Sequence, residues 1–206
     1  IRDNETNWKS AKYEKLRRIY WLSNLVIFLG PPGAGKGTQA SKIAEEKSLA
    51  HISTGDMLRE HVSSGTELGN TAKTLLDEGK LVPDSLVIEM LIERLNSEEC
   101  KNGAILDGFP RTLAQAKSLD EISNEFKISK VIVFEANHEE LVKRILHRGE
   151  TSGRSDDTEE SINVRLEVYE QDTEPLIDYY NQKNLVTKIN AIGDVDSIYN
   201  LISGEF

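Results

Sequence analysis

The run Gly30-Pro31-Pro32-Gly33-Ala34-Gly35-Lys36-Gly37-Thr38 directly follows the apolar stretch Leu25-Val26-Ile27-Phe28-Leu29. An apolar run, a glycine loop and helix-forming residues from Thr38 to Lys47 predict strand, anion-cradling turn and helix, which confines the chain to α/β folds. In such a loop, backbone N–H groups converge on an anion, and the helix N-terminus adds its positive dipole end. Lys36 is spaced to reach the outer phosphates of a nucleoside triphosphate. The strict pattern places Ser or Thr directly after the lysine, whereas here Gly37 stands there and Thr38 follows. The loop therefore lacks the usual side-chain ligand for magnesium. A plain turn after a buried strand is the bland alternative, and Lys36 argues against it.

Further apolar runs at Ala50–Ser53, Gly103–Asp107, Val131–Phe134 and Leu185–Ile189 alternate with helical periodicity. Examples of that periodicity are Leu86, Met90, Ile92 and Leu95, then Leu141, Ile145 and Leu146, then Val164, Val168 and Tyr169. Alternation of this kind predicts a parallel sheet with helices on both faces. Ligands of such sheets bind at the carboxyl ends of the strands. That rule gathers the glycine loop, Thr54–Arg59 and Asp107–Arg111 around one crevice.

The net charge is −10 over 206 residues, which opposes a general nucleic-acid binder. No apolar run approaches membrane-spanning length. One cysteine, Cys100, excludes an internal disulfide and a cysteine-rich zinc site, and fits a reducing compartment. In so acidic a chain, an anionic substrate must meet a local positive cluster. From residue 24 onward the arginines are Arg59, Arg94, Arg111, Arg144, Arg148, Arg154 and Arg165. All but Arg94, which reads as a solvated helix residue, are expected to face one cleft.

Residues 1–23 differ in composition, with Trp8, Tyr13, Leu16 and Tyr20 set among basic residues. They read as a surface helix or disordered leader; a targeting remnant is the alternative, weakened by Asp3, Glu5 and Glu14. Residues 24–206 read as a single domain. Within it, residues 53–83 are expected to form a small helical flap. Residues 148–158 are expected to form a short mobile loop over the site, with Gly149 and Gly153 giving it freedom and a helix restarting near Thr158. The histidines His51, His61, His138 and His147 show no ligand-like clustering.

Asp107 ends an apolar run in Ala104-Ile105-Leu106-Asp107-Gly108-Phe109-Pro110-Arg111. A carboxylate at a strand end beside a phosphate loop steers magnesium, here through water because Gly37 offers no ligand. Four segments, Gly30–Thr38, Ser53–Arg59, Asp107–Thr112 and Arg148–Asp157, occur together in order. In these segments the chain resembles the nucleoside monophosphate kinases, and within them the adenylate kinase family, over about residues 24–203. The short segment at 148–158 is similar to that of the eukaryotic cytosolic type.

The resemblance implies a P-loop kinase core built on a five-stranded parallel sheet, magnesium as cofactor, and reversible phosphoryl transfer from ATP to AMP giving two ADP. It implies no nucleic-acid or membrane partner, a monomer, and a cytoplasmic location, or a mitochondrial one if residues 1–23 are a targeting remnant. It assigns Gly33, Ala34, Gly35, Lys36, Gly37 and Thr38 to the ATP phosphates, with Arg144 and Gly193 at the ATP base. It assigns Arg59 and Arg111 to the AMP phosphate, and Thr54, Lys80, Leu81, Val82, Gly108, Phe109, Pro110 and Gln115 to the AMP base, sugar and surroundings. Arg148, Arg154 and Arg165 surround the transferring group in this reading, with Lys36, Arg111 and Asp107 as further catalytic residues. Asp156 and Asp157 either pair with neighbouring groups or orient metal waters.

Physical chemistry supports these roles independently. Phosphoryl transfer needs in-line positioning and dense positive charge, and arginine offers bidentate donors that stay charged. Surface ion pairs to Asp156, Asp157 and Glu150 are the bland alternative for these arginines. The related uridylate/cytidylate kinases differ at Thr54 and Gln115, whose polar groups here suit a purine. A nucleotide hydrolase or a non-catalytic sensor on the same loop are rivals from other classes. The first lacks a guanine-type base motif here, and the second is opposed by the intact Lys36, Asp107 and arginine set.

Overall fold

The computed structural model describes residues 23–122, 126–152, 154 and 156–206. The segment 1–22 of the expected leader and Gly153 of the expected loop lie outside the described residues. The strands are β1 (Ser23–Leu29), β2 (Ala50–Ser53), β3 (Ala104–Asp107), β4 (Phe126–Glu135) and β5 (Val186–Asn190). They form one five-stranded parallel sheet in the order β2-β3-β1-β4-β5. The phosphate-loop strand is thus central, flanked by β3 and β4.

The helices are α1 (Lys36–Lys47), α2 (Thr54–Ser63), α3 (Glu67–Asp77), α4 (Asp84–Leu95), α5 (Leu113–Ile122), α6 (His138–Ser152), α7 (Glu159–Val168), α8 (Pro175–Asn181) and α9 (Val195–Ser203). A π-helical turn, Tyr169–Thr173, joins α7 to α8. Successive strand side chains point to opposite faces, and the two cores follow that rule. Leu25, Ile27 and Leu29 join Leu58, Leu91, Leu119, Leu176 and Tyr180 on one face. Val26 and Phe28 join Ile43, Ile145, Ile162, Leu166 and Ile198 on the other. Burying each large aliphatic side chain contributes roughly 1.5–3 kcal/mol, so both sides of β1 anchor the loop at its end.

Three local differences from the sequence reading have physical causes. β4 begins five residues before the expected Val131, because its polar first half (Lys127, Ser129, Lys130) pairs with β1 across a register shift at Leu25/Val26. Ser129 Oγ donates to Leu25 O across 3.2 Å at that irregularity. The stretch expected as a loop from Arg148 opens as helix, since α6 continues through Ser152. Thr151 Oγ1 donates to His147 O across 3.0 Å there. Gly149, expected as a pivot, lies inside α6, and a Cβ on it would meet Asp157 O at 2.9 Å. A side chain there would crowd Asp157. The helix expected near Thr158 does restart, with Thr158 Oγ1 accepting from Ser161 N as N-cap.

Candidate active site

β1 delivers the chain to Gly30, whose φ of 147° and close approach to β4 exclude a side chain: a Cβ would lie 2.8 Å from Phe134 O. The loop then curls into α1 with Gly35 as a left-handed N-cap that makes no side-chain cap. Lys36 Nζ donates to Gly30 O at 2.7 Å and Pro31 O at 2.8 Å. Burial lowers its pKa to about 8 against the opposing pull of Asp107, and Arg111 adds to the lowering. β3 lies beside β1 with Phe28 level with Asp107, so Asp107 ends its strand next to the loop. An added Cβ on Gly37 would sit 3.2 Å from Asp107 Oδ2. His51 Nε2 lies 3.5 Å from the same oxygen.

These groups line a cleft of about 610 Å³ at the carboxyl ends of the strands, together with Arg59, Arg111, Arg144, Arg148, Arg154 and Arg165. The arginines come from α2, the turn after β3, α6, the α6–α7 connection and α7. Arg94 sits on α4, ion-paired with Glu99 and off this cleft.

Aspartates hold most of these cations. Arg148 makes a bidentate pair with Asp157, Nε to Oδ2 and Nη2 to Oδ1, both 2.6 Å. Arg165 Nη1 donates to Asp157 Oδ1 at 2.8 Å and lies 3.2 Å from Asp156 Oδ2. Arg154 Nη2 donates to Asp56 Oδ1, which also pairs with Arg59. Burial alone disfavours charge on Asp157 and Asp56. Hydrogen bonds and charge from Arg148 and Arg165, or from Arg59 and Arg154, outweigh it and hold both carboxyls below their usual range. Burial, then neighbouring Arg165, lowers the pKa of Arg111.

A phosphate loop ending a central strand, with an aspartate on the adjacent strand and converging arginines, suits two phosphorylated ligands. A model of the adenylate kinase family matches residues 28–185, more than half of the chain. The chain belongs to the adenylate kinase family. It is 48% identical to an adenylate kinase of Thermus thermophilus over 180 residues, covering 86% of this chain and 94% of that protein. It is 49% identical to that of Leptospira biflexa over 179 residues, covering 86% and 96%. With that of Archaeoglobus fulgidus the identity is 46% over 206 residues, covering 86% and 95%.

Against the assignments made by resemblance to the adenylate kinase family, the remaining residues divide. Gly33, Gly35, Gly37, Thr38, Leu81, Gly108 and Pro110 line the cleft. Ala34, Val82 and Phe109 are buried behind it. Lys80 pairs with Glu78 at 2.7 Å. Thr54 is buried, and its hydroxyl donates to Gly108 O at 2.8 Å. Gln115 is buried, with Oε1 accepting from Arg111 N at 2.7 Å and Nε2 donating to Asp84 Oδ1 at 2.7 Å. Gly193 stands off the cleft lining, in a turn that reaches it through Arg144, whose Nη1 donates to Ala191 O at 2.9 Å.

Sequence reasoning missed Asp56 and Asp84 as partners of these residues. Asp56 lies inside the 53–59 segment and had a signal there. Asp84 opens α4, where an acidic residue needs no further explanation than the helix dipole.

Proposed function

We propose that the cleft residues carry out the family's reaction, reversible transfer of the terminal phosphoryl group of ATP to AMP giving two ADP, in the following roles. The 30–38 loop and Lys36 hold the ATP phosphates, and Arg144 with the Gly193 turn holds its base. Arg59 and Arg111 clamp the AMP phosphate, with Thr54, the 80–82 backbone, Gly108 and Gln115 around the nucleoside. Arg148, Arg154 and Arg165 neutralise charge spread over the transferring group. The segments 53–83 and 148–158 act as flap and lid, closing on both substrates and excluding water, the competing acceptor. The observation that carries these roles is the convergence of six arginines on one cleft beside Lys36 and Asp107.

A hydrated magnesium ion fits the floor. Gly37 presents no side chain in the space where its Cβ would come within 3.2 Å of Asp107 Oδ2, and the carboxylate is left to orient water. When bound with ATP, magnesium supplies charge neutralisation at the phosphate oxygens. Asp107 then fixes the geometry, while Lys36 and the arginines keep the reacting oxygens in line. Every role is filled within one chain, in keeping with a monomer. A cytoplasmic location is the accompanying reading, and among the described residues no helix is long and apolar enough to cross a membrane.

The test is ADP formation from ATP with AMP, CMP, UMP or GMP as acceptor, with and without magnesium. Magnesium-dependent turnover preferring AMP is expected. Preference for CMP would overturn the base assignment. Rapid ATP loss without an acceptor would indicate a hydrolase, and binding without turnover a sensor.

A further inference from the structure

The hydrogen bonds around Gln115 leave its amide only one orientation. Oε1 must face the Arg111 N–H, a donor, and Nε2 must face Asp84, a carboxylate that only accepts when ionised. The other Asp84 oxygen accepts from Thr112 Oγ1 at 2.9 Å, and Thr112 Oγ1 in turn accepts from Gln115 N at 3.1 Å. Asp84 therefore spans from the first turn of α4 to the start of α5 and is held at both oxygens.

We propose that Asp84 is a positioning residue for monophosphate selection, which sets the base preference by fixing the direction of the Gln115 amide. After its two observed bonds, the amide retains one N–H and one oxygen lone pair. That leftover pair matches a base edge carrying an adjacent acceptor and donor, N1 and the 6-amino group of adenine. It matches hypoxanthine or guanine only after an amide flip, because those bases present N1–H and O6. A flip would set Nε2 against the Arg111 N–H and Oε1 against the Asp84 carboxylate, two like-for-like clashes in a buried place. Leaving such groups unpaired is costly, which is how a polar site rejects a near-isostere. The same hydrogen bond ties the base reader to Arg111, so adenine recognition and phosphate clamping share one rigid unit. Asp84 acts here through Gln115, so its role stands only if Gln115 contacts the AMP base.

The experiment compares kcat/KM for AMP and for inosine monophosphate in the full chain carrying Asp84→Asn, Asp84→Glu, Gln115→Ala, and Asp84→Asn with Gln115→Ala. Asp84→Asn offers a donor as well as an acceptor, so the AMP preference is expected to fall about tenfold with KM for ATP unchanged. Asp84→Glu keeps an acceptor-only group and retains more of the preference than Asp84→Asn. In the Gln115→Ala background, Asp84→Asn changes the preference no further. If Gln115→Ala lowers the preference and Asp84→Asn does not, Asp84 has no such role while the base assignment stands. If neither lowers it, the base assignment itself fails. An equal loss from Asp84→Asn with and without Gln115 would overturn action through Gln115. Thermal melts check folding, and Asp84→Ser replaces Asp84→Asn in the comparison if the latter does not fold.

Discussion

Arg154 Nη2 donates to Asp56 Oδ1 across 3.0 Å, joining positions 98 residues apart at the mouth of the cleft. Asp56 also pairs with Arg59, so one carboxylate occupies two cations proposed for phosphate. The Asp56 side chain is 54% exposed, which limits such a pair to under about 1 kcal/mol. Asp56→Asn should therefore lower KM for AMP by up to about fivefold, and speed hydrogen exchange at 154 and 156–158 in the free protein. A raised KM would show that Asp56 helps bind substrate instead of competing with it.

Arg111→Ala should weaken AMP use by about 100-fold or more while leaving ATP affinity nearly intact. Arg154→Ala should lower kcat more than it weakens either nucleotide. Initial rates over a two-substrate grid separate these effects. Equal losses of ATP and AMP affinity in Arg111→Ala would count against the clamp.

Lys36 gives a pH prediction of definite sign. Burial lowers its pKa from 10.5 to about 8, so the folded protein holds fewer protons than the unfolded chain between those values. Its charge therefore opposes folding below pH 8, by on the order of 3 kcal/mol, and the penalty fades as pH rises toward 10.5. Lys36→Met should abolish turnover yet raise Tm at pH 7, with the gain vanishing near pH 10.5. In the wild type, kcat/KM for ATP should fall as pH rises through about 8.

The strand positions were largely readable from the sequence, because apolar runs such as Leu25–Leu29 and Ala104–Leu106 are buried on both faces of a parallel sheet. The first half of β4 was not, since Phe126 and Ile128 alternate with Lys127 and Ser129 for only four residues before Lys130 breaks the pattern, and Lys127 and Lys130 pair only because β1 lies beside them. The cationic side of the cleft was legible through motif spacing. Of its anionic side, Asp156 and Asp157 were candidate partners from their place in the 148–157 segment, whereas Asp56 was not, because its bond to Arg154 exists only where α2 meets the α6–α7 connection. Thr54 and Gln115 were marked by type, but their present bonds go to Gly108, Arg111 and Asp84. Tertiary placement decides which of a polar group's valences remain for a ligand.

Gly149 tests packing against pivoting. A Cβ there would lie 2.9 Å from Asp157 O, and helix propensity alone would favour alanine. Gly149→Ala should push Asp157 away, disturb its pair with Arg148, and lower both Tm and kcat. A stabilised, fully active variant would refute close packing as the reason for glycine.

The Asp157 side chain is fully buried between Arg148 and Arg165. Asp157→Ala should cost about 3 kcal/mol by stranding both guanidinium groups, measured by urea unfolding. Because its folded pKa is lowered, the contribution is complete above the unfolded value of about 4 and disappears as pH falls through the folded one. The wild type should thus lose stability in acid more steeply than Asp157→Ala.

The tight backing of Gly30 on Phe134 has a consequence for how the protein comes into being. The curve of the phosphate loop is set by a strand that follows it by roughly a hundred positions. If the proposed ATP role of this loop holds, a refolding chain should gain nucleotide affinity only once β4 has docked beside β1, as a property of the assembled sheet.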